Sequence, residues 1–347
     1  MRIGVICPAE IAIRRFLPAL NLVPEFEFAG MAIPTIEERF GDHRPDGSVM
    51  DKVRQNERAK AEQCIEQYGG RLFEGYAAIV ESPCVDALYI PLPPALHSYW
   101  AEYALRRGKH VLVEKPATLS MADTRKLVDL ARARGLGLHE NYMFVFHDQL
   151  AVVHDMIRDG VVGDVRLYRI AFGFPKRPAG DFRYDRELGG GALIDAGGYV
   201  LKYARRILGP SCRIRYAQMN SQSGYDVDIY GSGALTNEHG DSVQIAFGMD
   251  NDYKCELEVW GSTGTLYSNR ILTAPAGFTP SVEIRRNGAS EKRMLPPDDS
   301  FRKSIEFFGR CVNDGQMREK EYAEMLDQAA LVDRFRTLAE SGCGHEA

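Results

Sequence analysis

The sequence predicts two domains: an α/β domain on a doubly wound parallel sheet over residues 1–141, then an α+β domain with a mostly antiparallel open sheet over residues 142–347. Three observations predict this. Short β-rich runs alternate with helical stretches through the first third. After about Asn141 that alternation gives way to strands punctuated by turn residues. The chain has 347 residues, which suits two domains of roughly 100 to 200 residues each.

In the first domain, residues 3–7 and 26–32 read as buried strands, and residues 87–91, 110–114 and 136–139 continue the series at intervals that leave room for crossover helices. Those helices fall at residues 57–68, 96–107 and 120–134, charged on one side and rich in Ala, Leu or Val on the other. Ser120 suits an N-cap, and Gly108 and Gly135 suit C-terminal stops. Residues 33–53 form an insertion after the second strand, and within it residues 41–52, rich in Asp, Gly and Arg, read as a mobile surface segment.

In the second domain, a helix over residues 147–159 ends at Gly160, and strands follow at 166–172, 242–249 and 253–259. The clusters Gly231-Ser232-Gly233 and Gly261-Ser262-Thr263-Gly264 read as turns between strands. Helices over residues 304–311 and 320–340 close the chain.

Composition excludes several functions. Hydrophobic residues make up 45% and charged residues 26%, as in ordinary globular proteins. Lys and Arg total 43 against 48 Asp and Glu, a net charge of -5 that gives no general attraction to nucleic acid or anionic membranes. No apolar run approaches the roughly 18 residues of a membrane span. The apolar start is also too short for a signal peptide. The seven cysteines contain no Cys-x-x-Cys pair, which fits reduced thiols and a cytoplasmic protein. No His/Asp/Glu cluster has metal spacing, so no metal is expected.

A strand leading into a helix at the N-terminus is the usual seat of a dinucleotide pyrophosphate. Here the glycines of Gly-x-Gly-x-x-Gly are replaced by Cys7-Pro8-Ala9-Glu10-Ile11-Ala12. Small Ala9 and Ala12 permit close approach, but Pro8 removes an N–H. By itself this turn reads equally well as a plain βα connection.

Further motifs follow in order. Glu114-Lys115-Pro116 ends the strand at 110–114, and Val85 to Pro93 precedes it, with His97 beyond. Glu140, His147 and Gln149 lie near the domain junction, and the run Leu188-Gly189-Gly190-Gly191-Ala192-Leu193-Ile194-Asp195-Ala196-Gly197-Gly198-Tyr199 comes after. Together they resemble the Gfo/Idh/MocA family of nicotinamide-dependent sugar oxidoreductases. The nearest likeness is to the NDP-hexose 3-ketoreductases of deoxysugar biosynthesis, through Ala9 to Ala12, Arg14-Arg15 and Leu17 to Leu20. The resemblance implies a Rossmann-type dinucleotide-binding domain followed by a substrate-binding and oligomerisation domain.

Reducing a ketone needs a hydride donor and a proton donor at the oxygen. The resemblance assigns the proton to Tyr199 and gives Lys115 a hydrogen bond to the reacting oxygen; as a cation, Lys115 would also favour loss of the tyrosine proton. Taken singly, Lys115 reads as a solvated strand-end residue and Tyr199 as a packing residue. Asp195 is expected to hydrogen-bond a sugar hydroxyl or, equally, to cap a helix starting near Gly198.

The resemblance places Ala9, Glu10, Ile11, Pro91, His97 and Glu114 around the cofactor, and puts Glu140 at its nicotinamide end; His147 is assigned no chemistry. The second strand ends at Ile33-Pro34-Thr35, without the acid an NAD enzyme uses on the ribose. Arg54, with Arg39 as a second candidate, therefore points to NADP, with NAD possible. The expected activity is reduction of a 3-keto group on a sugar or nucleotide-sugar. Alternatives are a sugar or dihydrodiol dehydrogenase acting on a free pyranose, and a non-catalytic ligand-sensing regulator. A homodimer or homotetramer through the open sheet face is expected.

Overall fold

Strands with apolar residues on both faces assemble the first sheet of the computed structural model, which describes residues 1–40 and 47–342. The chain divides into two compact units, Met1–Asn141 with Phe301–Leu326, and Tyr142–Ser300 with the chain from Asp327 onward.

The first unit contains β1 (Arg2–Ile6), β2 (Glu27–Ile33), β3 (Arg71–Glu74), β4 (Ala87–Ile90), β5 (His110–Glu114) and β6 (Leu138–Asn141). They pair in the order β3-β2-β1-β4-β5-β6, every pair parallel. Runs such as Val111-Leu112-Val113 are fully buried because helices cover such a sheet on both sides.

The helices are α1 (Leu17–Leu20), α2 (Ile36–Phe40), α3 (Gly47–Tyr68), α4 (Tyr76–Glu81), α5 (Pro94–Arg106) and α6 (Met121–Arg134). Ser120 caps α6 by accepting the Asp123 N–H at 3.1 Å, and Gly135 ends it at φ 64°. The order reverses between β1 and β4, and such a switch point opens a crevice at the carboxyl ends of the strands.

The second unit holds α7 (Gln149–Arg158), β7 (Val165–Gly173), α8 (Gly198–Leu208), β8 (Arg213–Ser221), β9 (Asp228–Thr236), β10 (Ser242–Gly248), β11 (Lys254–Gly261), β12 (Thr265–Asn269), β13 (Ser281–Arg286) and β14 (Ala289–Met294). These strands pair in the order β14-β13-β12-β11-β7-β10-β9-β8, antiparallel except for β7 with β10. Two further helices, α9 (Ser300–Asn313) and α10 (Gly315–Gly342), follow. Tyr322 and Met325 of α10 pack into the apolar core of the first unit.

Three expectations are corrected. Gly231-Ser232-Gly233 is not a turn but the middle of β9. A Cβ on Gly231 would lie 2.4 Å from the Phe247 ring, and one on Gly233 2.6 Å from Phe335, so these glycines make room for rings on the sheet. The helix expected at 57–68 begins at Gly47. Residues 47–52 of the expected surface segment therefore open α3, while residues 41–46 lie outside the described residues.

Candidate active site

The first turn keeps a glycine's conformation without the glycine. Cys7 has φ 82°, a left-handed geometry that L residues rarely adopt, and its N–H donates to Ala32 O at 3.2 Å. Burial pushes its thiol up to about 11, so it stays protonated at neutral pH. Ala9 follows at the start of the helical stretch and accepts the Ile13 N–H at 3.1 Å, while Glu10 is exposed beside Arg14 and Ile11 is half-buried. A turn with this backbone and a small residue at Ala9 fits a pyrophosphate.

Lys115 stands just past β5, and its peptide bond to Pro116 is cis. Two buried groups hold this turn. His97 of α5 is 1% exposed; its Nδ1 lies 2.7 Å from Pro116 O and its Nε2 2.7 Å from Leu92 O, next to buried Pro91. Each carbonyl favours a proton on the ring, but burial outweighs them and pushes His97 down to about 4. Glu140 of β6 accepts the Ala117 N–H at 2.8 Å. His97 thus meets the backbone of the two loops after β4 and β5.

Glu114, immediately before Lys115, is a second anchor. Its Oε1 accepts the Tyr89 hydroxyl at 2.7 Å and the Asn141 amide at 2.6 Å. Burial raises its carboxyl, and these donors together with the Lys115 charge pull the other way. Tyr89 is in turn stacked on Phe16, with ring centroids 3.8 Å apart. Sequence reasoning gave no role to Tyr89, although it lies in the Val85 to Pro93 run, or to Asn141.

Beside the end of β2, the structure supplies a carboxylate that the β2 sequence lacks. Glu74 of β3 is in register with Ile33. Arg54 Nη2 lies 3.2 Å from its Oε2, and Arg58 also engages it. Arg39 pairs instead with Glu57 at 3.5 Å.

In the second unit, Tyr199 lies in the first turn of α8 and is 7% exposed. Its ring meets Tyr142 at 5.2 Å, Phe144 at 5.6 Å and Phe172 at 5.2 Å. Gly198 permits this, since a Cβ there would come within 2.2 Å of the Tyr142 hydroxyl. Gln328 Nε2 donates to Gly198 O at 2.9 Å, and Lys202 lies over the Tyr142 ring.

Asp195 is not a helix cap, because the helical stretch is already under way at Leu193. The cap comes from Asp228, whose Oδ2 accepts the Leu193 N–H at 2.7 Å. Asp195 Oδ2 accepts from Arg183 Nε at 2.6 Å, and the same guanidinium reaches Asp181 at 3.1 Å. Asp195 and Tyr199 are four residues apart along one helical stretch. Arg183, another residue missed in the sequence, sets the orientation of Asp195. Among the described residues no group of three or more His, Cys, Asp or Glu could hold a metal. No described helix is long and apolar enough to cross a membrane.

Comparison with known proteins adds a second line of observation. Residues 30–142 match a family model described as an oxidoreductase family with an NAD-binding Rossmann fold, and residues 150–267 match the Gfo/Idh/MocA C-terminal domain. A dTDP-3,4-didehydro-2,6-dideoxy-alpha-D-glucose 3-reductase from Actinomadura kijaniata is 40% identical over 339 residues, covering 98% of this chain and 96% of its own. A protein of the same description from Streptomyces violaceoruber is 40% identical over 348 residues, covering 98% of this chain and 95% of its own. The crystal structure of KijD10, a 3-ketoreductase from Actinomadura kijaniata in complex with NADP and TDP-benzene, has 39% identity, a TM-score of 0.87 and 97% coverage of both chains. That enzyme has also been crystallised as a Tyr-to-Phe variant and as a Lys-to-Ala variant.

Proposed function

The chain belongs to the Gfo/Idh/MocA oxidoreductase family, and on that premise we propose that it reduces the 3-keto group of a dTDP-linked deoxysugar with NADPH. One observation carries the catalytic assignment: the Lys and Tyr substituted in the Actinomadura enzyme stand as far apart in its sequence as Lys115 and Tyr199 do here.

Bound cofactor would supply the hydride to the carbonyl carbon. Tyr199 gives its phenolic proton to the carbonyl oxygen as the new C–H bond forms, which leaves an alcohol. Lys115 donates a hydrogen bond to that oxygen and, as a cation, eases proton loss from the phenol. Asp195, held by Arg183, accepts from a sugar hydroxyl. The turn Cys7 to Ile11 takes the pyrophosphate at the start of its helical stretch. Arg54 turns from Glu74 to a 2′-phosphate, and Glu74 is the group that a free ribose would meet.

The reading includes a homodimer or homotetramer. The strand registers place Tyr216, Tyr230 and Trp260 on one face of the second sheet, where all three are exposed. It also includes a cytoplasmic setting, supported by six described cysteines that form no disulfide.

The test is NADPH oxidation with the dTDP-linked 3-keto sugar and with free keto-sugars. Tyr199→Phe should lower turnover by roughly 10² to 10⁴ with NADPH affinity kept. Lys115→Ala should do at least as much, and the double variant should lose less than the two losses combined. Wild-type turnover in Tyr199→Phe rejects the proton donor. Equal turnover of free sugars rejects the nucleotide-linked substrate.

A further inference from the structure

A row of buried polar side chains crosses the first unit and ends beside Lys115. Glu321 of α10 lies with Oε1 2.8 Å from His139 Nδ1, and the same oxygen accepts the Glu140 N–H at 3.2 Å. His139 Nε2 is 2.9 Å from Ser304 Oγ of α9. Ser304 donates to Asn141 Oδ1 at 2.8 Å, and Asn141 donates to Glu114. His139, Ser304 and Asn141 are all at most 2% exposed.

Apolar side chains would fill this space at lower cost, since each buried polar group loses its hydration. The arrangement instead has a direction, which follows from counting protons. Ser304 has one, and it goes to the Asn141 oxygen, so Ser304 must accept from His139 Nε2–H. With its oxygen turned to Ser304, the Asn141 amide presents its NH₂ group to Glu114. The reverse amide would set two oxygens face to face at 2.6 Å.

We infer that Glu321, His139 and Ser304 are positioning residues for Lys115, acting by giving the Asn141 amide oxygen a donor that holds its NH₂ end against Glu114. This rests on the reading that Lys115 serves the reaction. Through Asn141 the row keeps a carboxylate next to Lys115 in sequence; through the Glu140 N–H it touches the strand whose Glu140 carboxylate holds Ala117. The groups bearing on Glu114 are the Tyr89 hydroxyl from β4, the Asn141 amide from β6, the Lys115 ammonium and the Lys115 backbone N–H, and all four favour its charged form against burial. Losing the amide donor would move the carboxyl further up, so that Lys115 loses its negative partner at a higher pH than in the wild type.

The experiment compares Ser304→Ala with wild type in the full chain. Expected are a roughly tenfold lower kcat, an NADPH KM within about twofold, and an acidic limb of the kcat–pH profile moved to higher pH, with Ser304→Thr restoring all three. In a Lys115→Ala background, Ser304→Ala should add almost nothing. If Ser304→Ala does not fold, Glu321→Gln carries the same expectation, because it keeps the volume and the acceptor for Glu140 N–H. A folded variant with wild-type kcat and pH profile, alongside an impaired Lys115→Ala, overturns the inference. A fully active Lys115→Ala overturns instead the assignment of Lys115 on which it rests.

Discussion

Lys115 stands on a turn whose neighbouring backbone is tied by hydrogen bonds to His97 and Glu140, whereas Tyr199 stands among the rings of Tyr142, Phe144 and Phe172. The first arrangement is directional. Each partner offers one donor or acceptor at a fixed angle, so a change of a single atom is felt while volume hardly matters. The second depends on close-packed surfaces, where volume is felt. The same chemistry can therefore rest on two kinds of support, and each kind fails in its own way.

The largest expected effect tests the ring cage. Phe144→Ala removes a fully buried ring that touches Tyr142, Tyr199 and Tyr203, and should lower stability by about 3–5 kcal/mol in urea titrations. A cost under about 1 kcal/mol would mean that the rings do not hold Tyr199.

The next tests the directional side. His97 is neutral when folded, at about 4, while the unfolded chain takes up a proton near the ordinary 6.5. Its contribution is thus present above about pH 6.5 and lost as pH falls toward 4, a span of about 3 kcal/mol. The stability gap between wild type and His97→Gln should shrink by that order from pH 7 to pH 4. A gap that does not vary with pH shows that the ring is not held neutral.

The smallest tests the first turn. Because Cys7 sits at φ 82°, Cys7→Gly should be more stable than Cys7→Ala by about 1 kcal/mol in the same titration. Equal stability would remove the claim that this turn has a glycine's geometry.

Much of the first unit was legible because its signals are local. The strand at 110–114, the Ser120 cap and the Gly135 stop all appear where the sequence puts them. β3 was missed: its four residues bury one side chain, Phe73, and so show no usable periodicity. In β9 the glycines that mimic a turn are explained by Phe247 and Phe335 and by the backbone carbonyls of Gln218 and Tyr216, all of them on other elements of the second unit. The pairing of Asp195 with Arg183 was equally hidden, since the two stand twelve positions apart with mostly irregular chain between them. The buried row was unreadable for the same reason, because Ser304 and Glu321 stand 165 and 182 residues from His139. Motifs name the proposed site residues, but the partners that hold them are assembled by folding.

The chain that completes the first unit arrives late. Phe301–Leu326 belongs with Met1–Asn141, and from Asp327 the same α10 helix continues into the other unit. This segment brings Phe308 against Phe26, the Tyr322 hydroxyl to Leu136 O, and Ser304 and Glu321 to His139. A ribosome therefore releases more than three hundred residues before the first unit has all its parts, and Met1–Asn141 must wait through the synthesis of almost the whole second unit. Recombination between relatives meets the same constraint. A single crossover after Asn141 joins a first unit from one parent to closing helices from the other, so exchange that keeps each unit whole needs three junctions, the last of them inside a helix.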